Sequence, residues 1–262
     1  MKKIISVINQ KGGVGKTTTV VNLATALAQS GKKILVVDLD PQGNATTGLG
    51  KSNHDNDKNI YKIIIGQKNP ELVIQESCVK NLDLISSNVN LSGLEVETAN
   101  DPNRAFLLKE VFKKNETLFS KYENIFIDCP PSLSLLTIMS LVAAEELLVP
   151  LQTEFFALEG ITQLVKTIER IKINLNPKLE IRGILLTMFD KRNKLSAQVD
   201  EEARKYFKDK VYKTVIPRNV RLAEAPSYGL PVLRYDRLSK GALSYLALAS
   251  ELRKRLKLKK AA

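Results

Sequence analysis

The sequence predicts a doubly wound α/β fold, a mainly parallel sheet with helices on both faces. Three observations carry that reading. Seven short apolar runs alternate with segments of helical period. The runs are continuous in Val, Ile and Leu rather than alternating in and out, as in strands covered on both faces. The first run feeds a glycine-rich turn and then a helix. No repeat or low-complexity linker interrupts the pattern, and 262 residues is a length one α/β domain can fill, so residues 1–262 are expected to form a single domain.

Taken in order, residues 3–8 (Lys-Ile-Ile-Ser-Val-Ile) open the sheet, and helical spacing continues over residues 20–29 after the turn. Residues 33–38 form the second strand and end in Asp38. Residues 51–59 are a polar surface loop holding His54, the only histidine, for which nothing nearby supports a catalytic role. Residues 82–86 form the third strand, and residues 124–128 the fourth, ending in Asp128. Residues 146–151, 182–187 and 211–216 complete the expected seven, joined by right-handed helical crossovers.

Composition narrows the classes further. Hydrophobic residues at 44% and charged residues at 26% describe a chain that buries a core. No apolar stretch approaches the length of a membrane span, and the short apolar start reads as a strand, so a cytoplasmic protein is expected. Cys78 and Cys129 form no metal or redox pair and read as buried free thiols. With 40 Lys and Arg against 28 Asp and Glu, the net charge of +12 favours polyanionic partners, nucleic acid or an anionic membrane.

The chemistry lies in Lys11, Gly12, Gly13, Val14, Gly15, Lys16, Thr17 and Thr18, between the first strand and its helix. Glycines let successive N–H groups turn inward toward phosphate oxygens, and the helix N-terminus adds positive charge. Lys16 is placed to bridge the β- and γ-phosphates and the Thr17 hydroxyl to bind Mg²⁺. The common pattern of this loop has glycine at position 10, where this chain has Gln10; it reads Lys-Gly-Gly-x-Gly-Lys-Thr instead. Asp38, Asp40 and Asp128 follow apolar strands, where carboxylates face bound phosphates.

This loop resembles the deviant Walker A motif of the MinD/ParA group of P-loop NTPases. Further blocks, Asn9-Gln10-Lys11, 38–46, 128–132, 155–160, 186–190 and 215–228, resemble the ParA/Soj partition ATPases. The likeness spans nearly the whole chain and is weakest over residues 51–120. It implies ATP and Mg²⁺ as ligands and weak ATP hydrolysis. Lys11 then reaches across a homodimer to the partner's nucleotide, Asp40 orients the attacking water, Asp38 is an outer-shell acid and Asp128 the Walker B acid. Pro217 and Asn219 belong to the loop expected to hold the adenine, and Arg192 and Arg221 match DNA-contacting positions. A ParB/Spo0J-like partner is implied too.

Basic charge supports a DNA partner: residues 182–221 hold eleven Lys and Arg against five acids. No helix-turn-helix precedes the phosphate loop, so non-specific binding to double-stranded DNA is expected, with nucleoid association. The nearest rival is a MinD-type membrane-surface ATPase. Residues 251–262 offer only Leu252, Leu256 and Leu258 as large apolar groups, too little for stable membrane insertion. An iron–sulfur reductase would need two interface cysteines, and a P-loop kinase or amidoligase would need a small-molecule pocket; the partition-type blocks favour neither.

Overall fold

The computed structural model describes residues 3–261, with side chains as far as Arg255. Its seven strands form one sheet: β1 Lys3–Val7, β2 Ile34–Asp38, β3 Gln75–Glu76, β4 Leu82–Ile85, β5 Asn124–Asp128, β6 Glu146–Gln152 and β7 Glu180–Thr187. Their order is β3-β4-β2-β5-β1-β6-β7, parallel throughout except where β3 meets β4. The longer helices are α1 Lys16–Gln29, α2 Leu107–Lys114, α3 Leu135–Ala143, α4 Ala157–Asn174, α5 Lys194–Phe207 and α6 Lys240–Ala261.

The continuous apolar runs are explained by burial on both faces. Along β2, Ile34 and Val36 join one apolar cluster while Leu35 and Val37 join the other. Helices α1 and α6 cover the first face through Val20, Leu23, Leu27, Tyr245, Leu248 and Leu252. Helices α2 to α5 cover the second through Leu108, Phe112, Met139, Ile161, Leu164 and Val199. From β1 the chain crosses through α1 to β2, and from β5 through α3 to β6 on the opposite side. Direction therefore reverses where β1 and β5 lie side by side, and an open α/β sheet binds its ligand outside the carboxyl ends of such strands.

Two expectations are corrected. Residues 211–216 do not form a strand: only isolated bridges join Ile184 to Val211 and Phe189 to Pro217. Tyr212 N–H donates to the Ile184 carbonyl and Ile216 N–H to that of Leu186, both at 2.9 Å. The amides between them, Lys213 and Thr214, donate instead to the two carboxylate oxygens of Glu251, each at 2.9 Å. A side chain of α6 has thus taken donors that a ladder needs. The seventh strand is β3, a two-residue antiparallel edge strand. The thiols also differ: Cys129 is buried as expected, while Cys78 is only half-buried.

The 211–216 segment imposes a steric demand on β7. A Cβ at Gly183 would lie 2.3 Å from Tyr212 Cε2 and 3.0 Å from the Lys210 carbonyl oxygen. Tyr212 is fully buried. Gly183→Ala is expected to destabilise the protein by about 1–3 kcal/mol through overpacking, read as a lower midpoint in urea unfolding; an unchanged midpoint would show that the segment yields freely.

Candidate active site

The site begins where β1 ends. Asn9 Nδ2 donates to the Pro150 carbonyl (2.7 Å) and Asn9 Oδ1 accepts from the Lys11 amide (3.0 Å), tying the loop's entry to β6. Gly13 and Gly15 adopt left-handed φ of 74° and 88°, which turns the backbone into a cradle. Gly15 starts α1 with no side-chain cap, and the first turn carries no acid. Its amides and its positive end are therefore open to an anion. From β7, Thr187 Oγ1 donates to the Val14 carbonyl (2.9 Å) and braces the loop's far side.

The two lysines stand differently. Lys16 is 6% exposed, and its Nζ donates to the Lys11 carbonyl at 2.9 Å. Burial lowers its pKa, while the nearby carboxylates of Asp128 and Asp40 oppose that shift. Lys11 is half-exposed and its ammonium is paired with Glu154, the residue before the exposed Phe155 and Phe156.

The acids converge because β2 and β5 end in register, Asp38 opposite Asp128. Asp128 is fully buried, and neither of its carboxylate oxygens has a hydrogen-bond partner. Burial first, and the charge of Asp38 second, raise its pKa well above the usual range; the Thr17 hydroxyl eases the shift without forming a hydrogen bond of normal geometry. Asp38 is also fully buried, and burial pushes it up to about 6 despite hydrogen bonds from Thr46 and Asp40. Thr46 gives its amide (2.8 Å) and hydroxyl (2.7 Å) to Asp38 Oδ2, and the Asp40 amide reaches Oδ1 (3.2 Å).

Asp40 is held mainly by its backbone. The Ser87 hydroxyl donates to its carbonyl at 2.5 Å, and the Ser87 amide donates to Thr46 Oγ1 at 3.0 Å. Its Oδ1 accepts from the Gln42 amide (3.0 Å), and the residue lines the cleft.

That cleft has a volume of about 450 Å³. Gly12, Gly13, Gly15, Lys16, Thr17 and Thr18 form its floor, and Asp40 and Gln42 one side. Met188, Ala225, Pro226 and Leu230 form an apolar wall, and Met188 has an unusual φ of 51°. Pro217 and Asn219 are not among the lining residues. Asn219 Oδ1 is buried without a hydrogen-bond partner, and a Cβ at Gly241 would lie 3.0 Å from it. A larger hollow of about 750 Å³ lies at the amino-terminal end of the strands, among Lys109, Tyr122 and Glu145. No glycine lines it, and its acids, Glu116, Glu123 and Glu145, are interspersed with Lys109, Lys113 and Lys121.

The donor set suits a hard cation shared with phosphate. Thr17 offers a hydroxyl, and Asp128 two buried oxygens lacking donors. Among the described residues no group of three or more His, Cys, Asp or Glu forms a self-sufficient metal cage, as fits Mg²⁺ that keeps water and phosphate ligands.

Arg192 and Arg221 lie outside the cleft. Arg192 is paired through two nitrogens with Asp190 at 3.2 and 3.1 Å. Arg221 is paired with Glu224 at 2.8 Å and with Asp236 at 3.4 Å. The bridge of Phe189 to Pro217, with the Arg218 amide donating to the Phe189 carbonyl, brings their two loops together. Sequence reasoning missed Glu154, Thr46, Ser87 and Thr187. Thr46, Thr187 and Met188 lay inside blocks marked by resemblance, but no local pattern assigned them these contacts.

Comparison with known proteins agrees with this geometry. The profile of a family described as an AAA domain matches residues 2–181. The sporulation initiation inhibitor protein Soj of Bacillus subtilis is 50% identical over 251 residues, covering 96% of this chain and 98% of that protein. The chromosome partitioning protein ParA of Caulobacter vibrioides is 47% identical over 253 residues, covering 95% and 93%. Among solved structures, cobyrinic acid a,c-diamide synthase of Mycobacterium smegmatis with bound ATP analog and magnesium superposes with a TM-score of 0.87 at 32% identity, covering 98% and 96%. At similar coverage, identity to the partition proteins is the higher, and the chain belongs to the ParA/Soj family of partition ATPases, within the MinD/ParA group of deviant Walker A P-loop proteins.

Proposed function

We propose that this chain is an ATP-switched partition ATPase that binds DNA without sequence preference when two ATP-bound subunits close face to face. The observation that carries this reading is the conjunction of an uncapped helix terminus and a buried Lys16 at the cleft floor with an unpartnered, fully buried Asp128 beside Thr17 and Lys16. Lys16 meets the β- and γ-phosphates, and the open amides of α1 take the remaining oxygens. Thr17, with Asp128 and Asp38 behind it, would hold Mg²⁺, which would supply charge neutralisation at the phosphates. Asp40 orients the attacking water, and Lys11 leaves Glu154 to reach the partner's nucleotide. Pro217 and Asn219 close on the adenine when nucleotide binds.

Hydrolysis, slow alone and stimulated by a ParB/Spo0J-like protein at a centromere-like site, then releases the dimer from DNA. The 262 residues act as one domain in the cytoplasm, gathered on the nucleoid. The membrane-surface alternative is weakened by α6, which commits Tyr245, Leu248 and Leu252 to the core. The side chains of Leu256 and Leu258 and of the terminal lysines lie outside the described residues. Among the described residues no helix is long and apolar enough to cross a membrane.

Co-sedimentation with DNA and, separately, with anionic liposomes tests the reading; ATP-dependent capture by DNA is expected. Arg192→Ala or Arg221→Ala should weaken that capture about equally on unrelated sequences, and should flatten log affinity against log salt by roughly one unit for each phosphate no longer neutralised. ATP binding should persist. Binding to liposomes in place of DNA would reverse the assignment, and unchanged affinity and slope would remove both arginines from the interface.

A further inference from the structure

Besides its two bonds to β7 and one from Arg204 Nη2 of α5 to the Tyr212 carbonyl (3.1 Å), the segment where a strand was expected is tied to an ion pair on α6. Arg255 Nη1 donates to the Asp209 carbonyl (2.9 Å) and Nη2 to the Val211 carbonyl (2.8 Å). The same guanidinium lies over the Tyr212 ring, 4.2 Å from its centroid. Its Nη2 also reaches Glu251 Oε1 at 2.8 Å, while the two Glu251 oxygens take the Lys213 and Thr214 amides. Four backbone groups within six residues are therefore tied to one Glu–Arg pair, itself mostly shielded, with side-chain exposures of 16% and 21%. The chain next bonds β7 through Ile216 and the 189 turn through Arg218, and then starts the short helix Val220–Glu224 that carries Arg221.

From this juxtaposition we infer that Glu251 and Arg255 are positioning residues for the DNA-facing loop: by replacing a strand ladder along residues 211–216, they set where Arg218 and Arg221 stand. The inference rests on the DNA-binding reading above. Arg218 is exposed and among the described residues makes no ion pair within 4 Å, although its charge helps hold Asp190 ionised, so it adds a third cation beside two arginines paired directly with acids.

Charge makes the test sharp. Glu251→Gln raises the net charge by one, so long-range electrostatics alone predicts tighter DNA binding. A positioning role predicts the opposite, because one oxygen becomes an amide donor facing another donor and the loop loosens. With ATP present, DNA affinity is expected to fall by about tenfold, the scale of losing one or two charge-assisted hydrogen bonds. ATP affinity should stay within about twofold, because neither residue lines the cleft. Hydrogen exchange should show the Lys213 and Thr214 amides losing protection while β5 keeps its own.

Glu251→Asp keeps the charge but shortens the reach, and should show a smaller loss of the same kind; it also decides the question if the Gln variant folds poorly. Equal or tighter DNA binding by Glu251→Gln, or unaltered protection of the two amides, overturns the inference. Parallel loss of ATP and DNA affinity would do so too, by reducing the pair to general support of the fold. Failure of the unmodified protein to bind DNA with ATP would sink the functional reading instead, a result distinguishable from all of these.

Discussion

Replacing Lys16 with Ala is expected to abolish tight Mg-ATP binding and leave the fold standing. The ammonium is 6% exposed and sits at the cleft floor, so a triphosphate there would lose its principal buried counter-charge. Removing one partner of a buried charge pair costs about 3–5 kcal/mol, which is roughly 10²- to 10⁴-fold in affinity. Without nucleotide the loss is mild, because burial already disfavours the charged amine and, among the described residues, its one hydrogen bond is to the Lys11 carbonyl. Equilibrium titration with a fluorescent ATP analogue reads the effect; binding at unmodified strength would falsify the assignment of the phosphate loop.

Asp40→Ala should do the reverse, keeping ATP and losing turnover. The surrounding hydrogen bonds grip Asp40 by its main chain: its amide reaches Asp38, and its carbonyl accepts from Ser87 and from the Gly43 amide. Truncation thus removes the carboxylate and its one bond from the Gln42 amide while the bend itself survives. Loss of a positioned acid–base group costs about 10²- to 10⁴-fold in rate. The variant should accumulate as an ATP-bound dimer in light scattering and stay on DNA. A variant that remains monomeric with ATP, or that releases phosphate at the unmodified rate, removes Asp40 from the reaction.

What could be read in advance was the part whose physics is local. The phosphate loop was legible because strand, glycine turn and helix follow one another within a few residues, and the sheet because strands buried on both faces leave unbroken apolar runs. The errors came from distance. Residues 211–216 look like a strand, yet their fate is set by Glu251, 38 and 37 positions from Lys213 and Thr214. β3 is too short to leave a pattern and exists only through its pairing with β4. In the site, the ring of Asp38, Thr46, Ser87 and Asp40 joins the end of β2 to the end of β4 across up to 47 residues. Lys11 meets Glu154 across 143. No spacing rule reaches that far.

Both borders of the sheet are closed to strangers. At one, β3 offers a two-residue ladder ending in Glu76. At the other, residues 211–216 run beside β7 with two amides already taken by Glu251. A strand from another molecule finds no long row of unpaired groups to zip onto. High local concentration therefore gives cross-β pairing little edge to start from. Association with another copy would then fall to side-chain surfaces rather than to shared strand ladders.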